Sequence, residues 1–187
     1  MKTSEVFDNI YTTGVWGVGS GPGSDPANAM PWIDEVNKML AQPKIKTVLD
    51  IGCGDWQLGK HYNLEGKEYI GMDVSEKILE TTKLNATDNI QFVQANAAEA
   101  ELPKVDLILI KDVLQHLPNE TVEIIMDKIV ASCKYALICN DIGHNNTNTH
   151  VGGHRGLNLR EFPFEYPLTH LRFYGSPIKL IDFYEAR

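Results

Sequence analysis

Thr47-Val48-Leu49-Asp50-Ile51-Gly52-Cys53-Gly54-Asp55-Trp56 reads as a buried strand that stops at an acidic residue and breaks into a glycine turn. A second apolar run, Tyr69-Ile70-Gly71-Met72-Asp73, follows about 20 residues later and also closes on an acid. In an open α/β sheet ligands sit beyond the carboxyl ends of the strands. A glycine turn with an acid at this distance is how such a sheet holds the ribose of an adenosine-containing cofactor. The spacing of a dinucleotide turn fails, because Leu58 and Gly59 miss the position of its third glycine. This turn would seat a pyrophosphate poorly, which counts against a nicotinamide cofactor.

The rest of the chain alternates strand and helix. Strands are expected at Thr47–Asp50, Glu68–Asp73, Ile90–Gln94, Val105–Ile110 and Tyr135–Cys139, the fourth a continuous apolar run of the kind covered on both faces. Helices are expected after Asp25-Pro26, after Ser75 and from Asn119, each with a capping residue or an apolar stripe at helical spacing. Such alternation implies right-handed crossovers and a doubly wound parallel sheet with helices on both faces. The ending differs. Leu171–Tyr174 and Lys179–Tyr184 are separated only by Gly175-Ser176-Pro177-Ile178, too short for a parallel crossover, so these two strands should pair antiparallel. The expectation is a single α/β domain over 1–187: a mostly parallel seven-stranded sheet ending in an antiparallel hairpin. Within it, 1–25 is a glycine-rich arm, 26–140 the cofactor-binding core, 141–167 a long polar substrate loop and 168–187 the hairpin. Phe7, Tyr11 and Trp16 are apolar anchors that a solvated linker has no use for, so the arm should pack down as a lid.

A formal net charge of −8 with no basic cluster argues against nucleic-acid binding and favours a small neutral or cationic substrate. The three cysteines form no CxxC pair, and two lie in apolar strand-like runs, as suits a reducing, cytoplasmic setting. No leader pattern or membrane-length apolar run is present, so no membrane partner is expected; oligomeric state is left open.

Four places together resemble the class I, Rossmann-like S-adenosylmethionine-dependent methyltransferases: Asp50-Ile51-Gly52-Cys53-Gly54, Gly71-Met72-Asp73, Gln94-Ala95-Asn96-Ala97, and Ile110-Lys111-Asp112-Val113-Leu114-Gln115-His116-Leu117-Pro118. The terminal hairpin agrees with that family's sheet. The resemblance implies S-adenosylmethionine as cofactor. Asp50 and the Gly52 and Gly54 backbone would face its methionine part, and Asp73 its ribose hydroxyls. Met72 and Val74 would lie against adenine, Asn96 and Ala97 at the adenine edge, and Lys111 beside the sulfonium. Two residues depart from the family pattern. Trp56 stands where a third glycine is usual and is expected to wall the cofactor pocket, as Trp16 is expected to cover it. Asn96 replaces the more common aspartate. The absence of an Asn/Asp-Pro-Pro-Tyr/Phe segment after the fourth strand weakens the case for a nucleobase or glutamine amide acceptor.

The implied reaction is methyl transfer to a hydroxyl, or to a carboxyl or amine, of a sugar or other small metabolite. Its alternatives are a protein methyltransferase and a non-catalytic cofactor-binding scaffold. For a hydroxyl acceptor a histidine base is well suited, and His116 and His144 are the candidates, with Asp112 as orienter or alternative base. Asp112 and Asp141 follow neighbouring strands, an arrangement able to hold a divalent ion, but the spacing is a weak signal and no metal site is assigned. Arg155 and Arg160 are read as contacts for an anionic substrate group or as solvated charges.

Overall fold

The computed structural model describes residues 1–143 and 145–186, so the candidate base His144 lies outside the described residues. Seven strands form one sheet: β1 (Thr47–Ile51), β2 (Glu68–Asp73), β3 (Ile90–Gln94), β4 (Val105–Lys111), β5 (Cys133–Asp141), β6 (Thr169–Tyr174) and β7 (Lys179–Glu185). Their order is β3-β2-β1-β4-β5-β7-β6. The first five pair in parallel, while β7 lies antiparallel between β5 and β6. This is the doubly wound sheet with an antiparallel end that the strand spacing predicts.

Alternation along the strands divides the core. Ile108 and Ile110 of β4 point to one face and Leu107 and Leu109 to the other. The first face is covered by α4 (Asn119–Ser132) through Val122, Ile125, Met126 and Ile129. The second is covered by α2 (Pro26–Leu40) through Trp32, Ile33 and Val36, and by Leu79 of α3 (Glu76–Thr82). Asp25 and Ser75 cap α2 and α3 as their positions predict, accepting from Ala27 N–H at 2.8 Å and Ile78 N–H at 3.3 Å.

The glycine-rich reading of residues 1–25 misses a helix. Thr3–Thr13 forms α1, which buries Phe7 and Ile10 on the α4 side of the sheet and stops at Gly14 in the left-handed region, φ 66°. Glycines after residue 13 dominate the composition and hide the i, i+3 spacing before them. Among its described residues, segment 142–168 contains no strand or helix. Its fold is set by the buried Asn146, whose amide donates to Asn158 O at 2.8 Å and Phe162 O at 2.9 Å.

At the opposite end of the sheet, Asp106 fixes the start of β1. One carboxylate oxygen accepts from Lys46 N–H (2.9 Å) and Thr47 N–H (3.1 Å), and the other from Lys134 Nζ (2.8 Å). Burial opposes ionisation, but Lys134 and the two amides outweigh it and hold the carboxyl at about 2. A depressed folded-state pKa stabilises above the ordinary carboxylate value, and that stability is lost as pH falls from about 4 through 2. Denaturant midpoints measured from pH 5 to pH 2 should therefore fall more steeply for the native chain than for Asp106→Asn.

Candidate active site

A cavity of about 600 Å³ opens at the carboxyl ends of β1, β2 and β4. Its floor is the glycine turn. Gly52 N–H and Cys53 N–H both donate to Met72 O, at 2.7 and 3.1 Å, folding the turn back over β2. Gly54 N–H then donates to Asp73 Oδ2 at 3.0 Å, and Ser75 N–H to Asp73 Oδ1 at 2.9 Å. Gly52 and Gly54 have φ of 75° and 53°, and a Cβ on either would collide with Val113 or with Ser20 Oγ. Burial raises the Asp73 carboxyl to about 6 against the pull of these amides. A carboxylate has about four acceptor sites, so two remain for ligand hydroxyls.

The arm lies over this floor. Ser20 N–H donates to Asp55 Oδ2 at 3.2 Å and Asp55 N–H to Ser20 Oγ at 3.1 Å, a reciprocal clamp on the glycine turn. Asp8 of α1 accepts from Ser75 Oγ at 2.6 Å and Lys77 N–H at 3.0 Å, binding α1 to the start of α3. Trp16 packs against Phe7 and Tyr11 at ring separations of 5.9 and 5.7 Å, and lies 4.9 Å from the His116 ring.

The far wall is polar. His116, in a 3₁₀ turn after β4, has Nδ1 2.7 Å from Gly153 O. A carbonyl only accepts, so Nδ1 carries the proton and Nε2 keeps its lone pair. Burial holds this imidazole below the ordinary histidine range, although the Gly153 carbonyl works the other way. His154, 5.5 Å from His116 ring to ring, places Nε2 2.9 Å from Asp141 Oδ2. Asp141 Oδ1 accepts from Lys179 Nζ at 2.5 Å, and Lys179 Nζ also donates to Asp112 Oδ1 at 2.8 Å. Lys111 closes the chain, donating to Asp112 Oδ2 and, at 2.7 Å, to Gly23 O. Burial opposes the Asp141 charge, but Lys179 and His154 outweigh it and lower its pKa. Lys179 is raised in turn, its two carboxylates overcoming burial.

The structure brings Trp16, Gly52, Met72, Asp73, Val74, Asn96, Ala97, Lys111, Asp112 and His116 to the cavity wall. Gly54 supports the floor through Asp73. Asp50 lies behind the turn at a side pocket of about 30 Å³, where its Oδ2 accepts from Tyr69 OH at 2.6 Å. Burial pushes Asp50 up to about 7, only partly offset by that hydroxyl. Trp56 does not wall the cavity. With φ at 60° it turns into the second core, against Tyr69 (6.0 Å) and Phe92 (5.4 Å), where the missing side chain of Gly59 leaves room for its indole. Asn96 uses its side chain in its own turn, accepting from Ala98 N–H at 3.1 Å and donating to Glu99 at 2.8 Å. Asp112 is paired with two lysines and is not free to act as a base. Arg155 is buried with Nη1 on Leu117 O at 2.8 Å, Arg160 lies 3.7 Å from Asp182, and neither is among the residues lining the cavity. Sequence reading missed Asp8, His154 as a wall residue, and Lys179; an isolated lysine at the start of a late strand carries no local signal.

The sheet order, the glycine turn and the acid closing β2 define a Rossmann-like class I methyltransferase fold. Residues 48–135 match a family model described as a methyltransferase domain. The match covers a little under half of the chain, and over that stretch the chain is similar to class I methyltransferase domains. The chain is 33% identical over 96 residues to the ubiquinone biosynthesis O-methyltransferase of Aromatoleum aromaticum, covering 48% of this chain and 39% of that protein. It is 34% identical over 111 residues to that of Azoarcus sp., covering 51% and 46%. The chain thus spans less than half the length of these curated relatives. Among solved structures, magnesium protoporphyrin IX methyltransferase from Synechocystis with bound S-adenosylhomocysteine matches with a TM-score of 0.73 at 17% identity, over 100% of both chains. The 1,6-didemethyltoxoflavin N1-methyltransferase of Burkholderia thailandensis gives 0.74 at 16% identity, over 98% of this chain and 86% of that one. Among the described residues, no helix is long and apolar enough to cross a membrane, and no group of three His, Cys, Asp or Glu is set to hold a metal ion.

Removing the Asp8 carboxylate leaves the Lys77 amide and Ser75 hydroxyl without their partner. Asp8→Ala should lower stability by about 1 kcal/mol. Amide exchange across residues 3–13 should quicken while that of β4 stays unchanged; equal quickening in both would show that α1 is not separately anchored.

Proposed function

We propose that this chain is an S-adenosylmethionine-dependent methyltransferase acting on a hydroxyl oxygen of a small molecule, with His116 as general base. The observation that carries this reading is the His116 geometry: Nδ1 is committed to Gly153 O at 2.7 Å, and burial keeps the ring neutral, which leaves Nε2 a proton acceptor in a residue that lines the cavity. The cofactor seat fits as well. Gly52, whose added Cβ would collide with Val113, brings bare backbone to the cavity, Gly54 holds Asp73 beneath it, and Asp73 retains acceptor capacity for ribose hydroxyls.

Bound S-adenosylmethionine supplies a methyl group on positively charged sulfur. The chain supplies placement and exclusion of water. Trp16, Phe7 and Tyr11 cover the cavity, and Ser20 holds that cover to the glycine turn. With cofactor and acceptor bound, His116 Nε2 would take the proton that the acceptor hydroxyl gives up on methylation, the sulfonium's bonding electrons staying with its sulfur. Gly153 O and the Trp16 ring packed at a tilt against His116 keep that nitrogen in place.

Equilibrium dialysis with S-adenosylmethionine tests the seat: Asp73→Ala should weaken binding by at least about tenfold, the loss of charged hydrogen bonds to two hydroxyls. No binding by the native chain would sink the enzyme reading. For catalysis, cofactor-dependent gain of one methyl group is followed by mass across pools of hydroxylated small molecules. His116→Gln should cut turnover roughly 10²-fold or more while leaving cofactor affinity intact. The acid limb of the native rate should lie below pH 6.5, the ordinary histidine value. Cofactor binding with no methyl gain in any pool would instead favour a non-catalytic protein.

A further inference from the structure

Lys179 is the least explained residue of the cavity wall. An ammonium has three N–H donors. Two go to Asp112 Oδ1 and Asp141 Oδ1, and no third partner exists among the described residues. Its side chain is only 10% exposed and the residue lines the cavity, so the partner left open to the remaining donor is whatever fills that cavity. A buried donor without a partner is costly, and native structures rarely leave one without reason.

We propose that Lys179 is an acceptor-binding residue whose third N–H donates to an oxygen of the methyl acceptor, and that the acceptor is a hydroxylated planar aromatic molecule held without a divalent ion. The inference rests on the methyltransferase reading and adds the acceptor's chemical class to it. Three observations support it. The ammonium occupies the point where the carboxylates of Asp112 and Asp141 converge, the position a divalent cation shared by these acids would take, and with Lys111 on Asp112 two cations already balance the two acids. The same cavity is lined by aromatic rings: Trp16 lies 4.9 Å from the His116 ring, with Phe7 and Tyr11 against Trp16, a lining that favours a flat ring. His116 and Lys179 belong to one continuous contact chain through His154 and Asp141. A proton acceptor and a fixed cation thus share one wall. As His116 takes the hydroxyl proton, negative charge grows on the acceptor oxygen, and a preorganised ammonium stabilises it without reorganising.

The test uses the full chain loaded with S-adenosylhomocysteine, with 4-nitrophenol and nitrobenzene as probes in equilibrium dialysis, with and without EDTA. The native chain should prefer the phenol by on the order of tenfold, the worth of one hydrogen bond to a charged group. EDTA should leave that preference unchanged. In Lys179→Met it should shrink to within about twofold, and Lys179→Arg should restore part of it. A full preference in Lys179→Met would mean the hydroxyl is read elsewhere, by His116 first, and would overturn the assignment. Equal affinity of the native chain for both probes, or loss of the preference with EDTA, overturns it whether or not the methionine variant folds. Failure of the native chain to take up S-adenosylhomocysteine strikes the methyltransferase reading itself, and so is distinguishable from failure of the role given to Lys179.

Discussion

The ends of β1 and β2 are joined by one carboxylate. Parallel pairing brings Ile51 opposite Met72, and the glycine turn then folds back so that Asp73 receives Gly54 N–H on one oxygen and Ser75 N–H on the other. The cavity floor, the start of α3 and the docking of α1 all follow from that arrangement. Its cost is electrostatic. Asp73 and its neighbour Asp50 are both buried, and burial raises them to about 6 and about 7. For acids raised above their unfolded values, the stability they contribute is present at low pH and lost as pH rises through 6 and 7. The cost of keeping both acids ionised therefore grows as pH rises through this range and is at its fullest above it.

The same carboxylate explains why the arm closes where it does. Ser75, whose amide holds Asp73, gives its hydroxyl to Asp8 of α1, and the turn that Gly54 completes is clamped through Asp55 to Ser20. Cover and floor are one hydrogen-bonded unit. The connection between the two clamps, residues 14–19, carries three glycines, all with positive φ, and has no strand or helix of its own. Bonds at both ends and adaptable backbone between them are the parts a closing segment needs.

Much of the fold was legible because buried parallel strands write continuous apolar runs, and because the four-residue gap before Lys179 forbids a crossover. The site was legible where chemistry is local, as at the glycine turn and the acid closing β2. It was illegible where geometry turns on one dihedral angle or on distant pairing. Trp56 looks like a cavity wall in sequence, but a positive φ sends it through to the opposite core. Asp8 meets α3 across 67 residues, and Asp112 meets Lys179 across the same number, separations at which no sequence pattern reports a contact.

The antiparallel end of the sheet has a chemical consequence beyond closing the fold. A sixth parallel strand beside β5 would present its carboxyl end to the cavity and its first residue to the opposite rim. Reversing β7 exchanges these ends, and the register places Lys179, its first residue, directly across from Asp141, the last of β5. Asp112, just past β4, then faces the same ammonium. Two acids that would repel each other, or require a metal ion, are instead bridged by a cation the chain carries at a fixed position, with Lys111 supplying the second positive charge. Breaking such a pair by removing the cation leaves buried charge uncompensated, so Lys179 binds the wall together and presents a donor to the cavity. That double role is why topology, rather than any motif, decides what this wall can hold.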